Sequence, residues 1–141
     1  MVGKWTKWKP LSVLDNKYYI KSIKDDEDGF EIILAYYENK PEKERDKIKV
    51  IFSGPIESYR YCDEHCRLAL LRKLDEKYGN GFYVKWRYFT VEDSEYLKWL
   101  NKESDGITEH LGVKHYVFID NDCILDVVAA YKPEFEFIKV K

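Results

Sequence analysis

From Tyr18 to Ile23, and again from Phe30 to Tyr37, the chain is dense in aromatic and β-branched residues. Between them lies the polar stretch KDDEDG, Lys24 to Gly29. Two such runs around a glycine-ended turn predict a β-hairpin. ENKPEKERDK, Glu38 to Lys47, reads as a solvated loop of mixed charge. Ile48 to Ser53 alternates apolar and polar imperfectly and predicts a third strand, broken by Gly54-Pro55; Ile56 to Tyr61 is expected as a short strand or bridge. The period then changes. Over about Asp63 to Tyr78, Cys66, Ala69, Leu70, Leu74 and Tyr78 fall on one helical face, widened by Leu71, with Arg67, Lys73, Asp75 and Glu76 on the wet side. Gly79-Asn80-Gly81 ends this helix, and Phe82 to Phe89 has strand character. Asp93 or Ser94 can cap a second helix reaching about Ser104, with Tyr96, Leu97, Trp99 and Leu100 as its apolar face. Next, KHYVFID and CILDVVAA flank Asn121-Asp122, a good tight-turn pair, and Phe135 to Val140 suggests an edge strand.

Consecutive strands with two separate helices, rather than regular βαβ alternation, predict an α+β fold: a mainly antiparallel sheet with two principal helices packed on one face. A length of 141 residues fits a single domain, with residues 1–12 as an arm packed on it through Trp5 and Trp8. Hydrophobic residues make up 45% and charged residues 35%, a globular balance. Aromatics reach 16%, enough to place some of them at the surface, where rigid rings suit a contact face. The formal net charge is −2 and no segment is strongly basic, which argues against nucleic acid as the main partner. No apolar run approaches the roughly 20 residues of a membrane span, and the first residues lack a signal-peptide core. Three cysteines without framework spacing read as a reducing compartment, so the expected location is cytoplasmic.

SYRYCDEHC, Ser58 to Cys66, concentrates the reactive residue types. Cys62, His65 and Cys66 are possible metal ligands, but a structural zinc site wants four, and Cys123 stands without a Cys or His within three residues. No metal and no cofactor is expected. Cys62 at a helix start would have a lowered pKa, yet no oxyanion-loop sequence accompanies it. The bland alternative is a strand-to-helix junction, with Cys66 as a small hydrophobe in the buried stripe. Asp126 is an acid inside ILDVVAA. If Asn121-Asp122 forms a two-residue turn, Val117 lies opposite Asp126 and His115 is its diagonal neighbour on the same face, within reach of a long side chain. That pair suits either acid–base chemistry or a structural hydrogen bond, and one residue of slip would separate it. Arg60 is expected to pair with Glu64 or Asp126. KWTKWK mixes bases with aromatics, as single-strand binders do, or is an arm anchored by two indoles.

Three segments together, SYRYCDEHCR, DSEYLKWLNKESDGI and KHYVFIDNDCILDVVAAYKPE, resemble a family of small bacterial cytosolic proteins associated with toxin–immunity loci. The matching positions are Tyr59, Arg60, Asp63 and Glu64; Ser94, Tyr96 and Trp99; and His115, Tyr116, Asp126, Val127 and Pro133. The resemblance implies a non-catalytic protein-binding module, an immunity-type inhibitor of a toxin domain. Its contact residues would be Asp63, Glu64 and Trp99, with Asp26 and Glu27 from KDDEDG, since acidic side chains suit a basic nuclease. The alternatives are a small enzyme that brings Arg60, Glu64, His115 and Asp126 into one pocket, and a regulatory domain with some other partner.

Overall fold

The computed structural model of the protein describes residues 2–12, 14–37 and 47–138. Residues 38–46 of the expected loop Glu38 to Lys47, and the last two residues of the expected final strand, lie outside the described residues; Lys47 itself opens a strand.

The fold is α+β, with two antiparallel sheets. The first contains β1 (Lys4–Lys7), β5 (Ile56–Asp63), β6 (Tyr88–Glu92), β7 (Lys114–Ile119) and β8 (Cys123–Ala129), in the order β1-β6-β7-β8-β5. The second contains β2 (Tyr18–Asp26), β3 (Gly29–Tyr36), β4 (Lys47–Phe52) and β9 (Glu134–Ile138), in the order β2-β3-β4-β9. The helices are α1 (Leu68–Tyr78), the single turn α2 (Phe82–Lys85) and α3 (Glu95–Glu103). None is long and apolar enough to cross a membrane.

Two hydrophobic clusters make three layers. Ile32, Leu34, Ile48, Val50 and Phe52 of the second sheet pack against Tyr88, Tyr116, Phe118, Leu125 and Val127 of the first. On the opposite face, Trp5, Phe89, Val91, Val117, Ile119 and Ile124 pack against Leu71 and Leu74 of α1. Strands β7 and β8 are thus covered on both faces, which is why their sequences run apolar rather than alternating. The two indoles divide between the layers. Trp5 joins the helix-side cluster, while Trp8 contacts the rings of Tyr116, Phe118 and Phe135.

Four expectations need correction. Part of the expected arm is strand β1, whose Lys4 to Lys7 pair with Glu92 to Phe89. The run Phe82 to Phe89 is not one strand. Gly81 takes a left-handed φ of 84° and starts α2, and the Phe82 ring stacks between Tyr78 at 4.3 Å and Phe89 at 4.8 Å. Aromatic packing there overrides β propensity. The chain also stays extended to Asp63, and Glu64–Arg67 form a 3-10 turn before α1 begins at Leu68. Cys66 and Ala69 are exposed in consequence, and of the expected stripe only Leu71 and Leu74 are buried. In α3 only Tyr96 is buried.

Candidate functional site

The register of the first sheet builds the site. Val117 pairs with Asp126 and His115 with Val128, so His115 is the diagonal neighbour of Asp126 on the helix-facing side. On the other flank, β5 sets Arg60 directly opposite Asp126. The β7–β8 turn holds this register. Asp120 Oδ1 accepts the N–H groups of Asp122 at 2.8 Å and Cys123 at 2.7 Å, and the Asp120 N–H donates to the Cys123 carbonyl.

Asp126 is wholly buried and saturated with partners. His115 Nε2 lies 2.6 Å from its Oδ1, while Arg60 Nε at 2.8 Å and Arg67 Nη1 at 2.6 Å donate to its Oδ2. Burial alone would raise this carboxyl; the hydrogen bond from His115, with the charges of Arg67 and Arg60, overcomes it and holds Asp126 well below the usual carboxylate range. The other ring nitrogen of His115 faces Ser94 Oγ at 2.9 Å. Ser94 is the N-cap of α3, where its Oγ accepts the Leu97 N–H at 3.1 Å. Asp93, just before it, has a φ of 53°, a left-handed conformation that aspartate tolerates. One tautomer satisfies the whole chain: Ser94 O–H donates to Nδ1, and Nε2–H donates to Asp126.

Tyr96 closes the cluster. Its hydroxyl is hydrogen-bonded to Ser58 Oγ, and its ring lies 4.1 Å from Arg60 Cζ, a cation–π contact. Trp99 stacks beyond it, with ring centroids 6.1 Å apart. A pocket of about 160 Å³ lies over the cluster, lined by Arg60, Arg67, Lys73, Ser94, Tyr96 and His115 against an apolar wall of Trp5, Leu70 and Val91.

Three of the four residues proposed for an alternative active site therefore meet: Arg60, His115 and Asp126. Glu64 does not join them. It is exposed, and it lines a separate pocket of about 270 Å³ with Arg87 and Asn121. The extended run to Asp63 carries Glu64 past Asp126, and the 3-10 turn brings Arg67 round instead. Arg67, read as a wet-side residue, is only 13% exposed in its side chain. Helical spacing from Cys66 misplaced it, because no regular helix covers that turn. Ser94 had a sequence signal as a cap but none as a histidine partner. Among the described residues, no group of three His, Cys, Asp or Glu is placed to hold a metal ion. Cys62 sits in β5, while His65 and Cys66 lie in the exposed turn.

The contact residues expected from the resemblance, Asp26, Glu27, Asp63, Glu64 and Trp99, are all exposed. Asp26 and Glu27 form the tip of the β2–β3 hairpin. Asp63 ends β5, Glu64 opens the 3-10 turn that follows, and Trp99 lies on the helix side. Strand β5 links them. It is an edge of the first sheet, and Glu57, Tyr59, Tyr61 and Asp63 are exposed along it. The Tyr59 ring rests 4.8 Å from Phe30, so this row stands over the hairpin that carries Asp25, Asp26, Glu27 and Asp28. The other sheet edges carry charge along their length: Lys4 and Lys7 in β1, Lys21 to Asp26 in β2, Glu134 and Glu136 in β9. In β5 the central charge, Arg60, is bonded to Asp126, and tyrosines occupy the middle of the exposed row.

No family model matches the chain, and no curated protein or solved structure is similar to it at a significant level.

Proposed function

We propose that the protein is a non-catalytic protein-binding module, an immunity-type inhibitor of a bacterial toxin domain, and that β5 is its docking element. The observation that carries this reading is the eight-residue edge with Tyr59 and Tyr61 exposed at its centre. A long edge with uncharged rings at its centre, and with none of the described residues paired along its outer side, is a template for another chain. Acidic residues surround it: Glu57, Asp63 and Glu64 on the strand and turn, and Asp25 to Asp28 on the hairpin. They suit a basic partner and would speed its approach. Trp99, 54% exposed on the other side of the strand, offers a further anchor. The test is a titration of the partner captured from extract of the producing cells. Replacing both Tyr59 and Tyr61 by Ala should weaken affinity at least about tenfold, as loss of aromatic anchors does. Replacing Asp26 and Glu27 by Lys should slow association, most strongly at low salt. Unchanged affinity in both variants refutes the assignment of this surface.

A small enzyme is a second reading, favoured by the line Ser94–His115–Asp126 beside a pocket. Against it stand the 3% exposure of Ser94 and the engagement of its Oγ with the Leu97 N–H.

A further inference from the structure

The pocket over Asp126 carries more positive charge than the fold uses. Both arginines bond the same carboxylate oxygen, Asp126 Oδ2, Arg60 through Nε and Arg67 through Nη1. One carboxylate therefore answers two guanidinium groups. Each guanidinium keeps further N–H donors, and among the described residues no hydrogen bond occupies them. Those donors are reachable, since the side chains of Arg60 and Arg67 are 40% and 13% exposed. Lys73, exposed on α1, adds a third cation to the same lining. Against these three stand Asp126 and the exposed Glu95, so the lining keeps an excess of positive charge.

Geometry narrows the ligand. Arg60 comes from a strand, Arg67 from the turn and Lys73 from α1, so the cations surround the pocket rather than form a row. Arginine forks with a lysine point charge suit a phosphoryl group, which offers three oxygens and up to two charges. A carboxylate fills one fork and leaves the rest unused. The volume of about 160 Å³ admits a phosphoryl group with part of its substituent. Trp5, Leu70 and Val91 supply an apolar wall for that substituent. Strand β5 carries Arg60 and flanks Asp126, and the Tyr96 ring of α3 holds the Arg60 guanidinium in place, so the site is formed before any ligand arrives.

We infer that this pocket binds a phosphate monoester with an apolar substituent. It lies on the helix side of the first sheet, whereas Tyr59 and the hairpin acids lie on the other, so the inference does not rest on the docking edge, although Trp99 stacks on Tyr96, which lines the pocket. Calorimetric titration with phenyl phosphate, inorganic phosphate and benzoate tests it. Phenyl phosphate should bind most tightly, inorganic phosphate more weakly and benzoate weakest. Lys73→Glu, at an exposed position, should leave the melting temperature nearly unchanged and weaken phenyl phosphate about tenfold, the worth of one charge-assisted bond. Arg67→Gln should weaken it as well. Absence of heat with phenyl phosphate overturns the inference, as does full affinity in Lys73→Glu. Equal binding of benzoate overturns the phosphoryl assignment, and equal binding of inorganic phosphate overturns the role of the apolar wall.

Discussion

Asp126 is a charge that the fold has taken out of water and surrounded. Isolated burial of a carboxylate is prohibitive, and the arrangement stands only because His115, Arg60 and Arg67 take up its lone pairs. Removing it would strand two guanidinium groups around a neutral side chain. Asp126→Asn should therefore lower stability at neutral pH by about 3–5 kcal/mol in urea unfolding. The pH dependence has a definite sign. The folded carboxyl lies below its unfolded value, so its contribution is complete above the ordinary carboxylate value of about 4 and fades as pH falls below it. The gap between wild type and Asp126→Asn should narrow from about pH 5 towards about pH 2. A gap independent of pH would show that the folded carboxyl is not ionised. The diagonal relation of His115 to Asp126 was legible in the sequence, because a two-residue turn at Asn121-Asp122 fixes the parity of the register. Arg67 was not, since its approach depends on one irregular turn that no periodicity announces.

Helix α3 joins this network to the surface. Ser94 caps it and also meets His115, so one hydroxyl serves the helix end and the buried ring. Ser94→Ala should cost about 1–2 kcal/mol, the usual loss for a cap, and should speed amide exchange in the first turn of α3. Thr in its place should recover most of the loss. The cap was legible because its signal is local: a short polar side chain just before an apolar periodicity. Two misreadings have a different origin. The aromatics of Phe82 to Phe89 favour a strand in isolation, but Gly79 and Gly81 let the chain turn, and the rings of Tyr78, Phe82 and Phe89 decide the outcome by stacking. Likewise, Cys66 and Ala69 fit a helical stripe on paper only if α1 begins at Asp63. It begins five residues later, after β5 has continued along β8.

The α+β class follows from element types, whereas the division into two sheets does not. Alternation tells which residues of a strand share a face, and says nothing of which strand lies alongside. Strand β5 follows β4 in the chain yet joins the other sheet beside β8, and β9 follows β8 yet pairs with β4. These pairings join distant segments: Lys4 meets Glu92, and Lys47 meets Ile138. A fold of such non-local pairs pays loop-closure entropy before it gains contacts, so refolding in stopped flow should take about milliseconds to seconds rather than microseconds. The strand order has a consequence for the chain as it is made. Strand β8 is the link between β5 and the rest of its sheet. A ribosome delivers Arg60, Arg67 and His115 first, and the carboxylate that gathers them comes only with β8. Until then β5 has no neighbour and its arginines no buried counter-charge. A nascent chain stalled before residue 126 thus offers an unpaired, tyrosine-bearing strand to chaperones and proteases, whatever the stability of the finished protein.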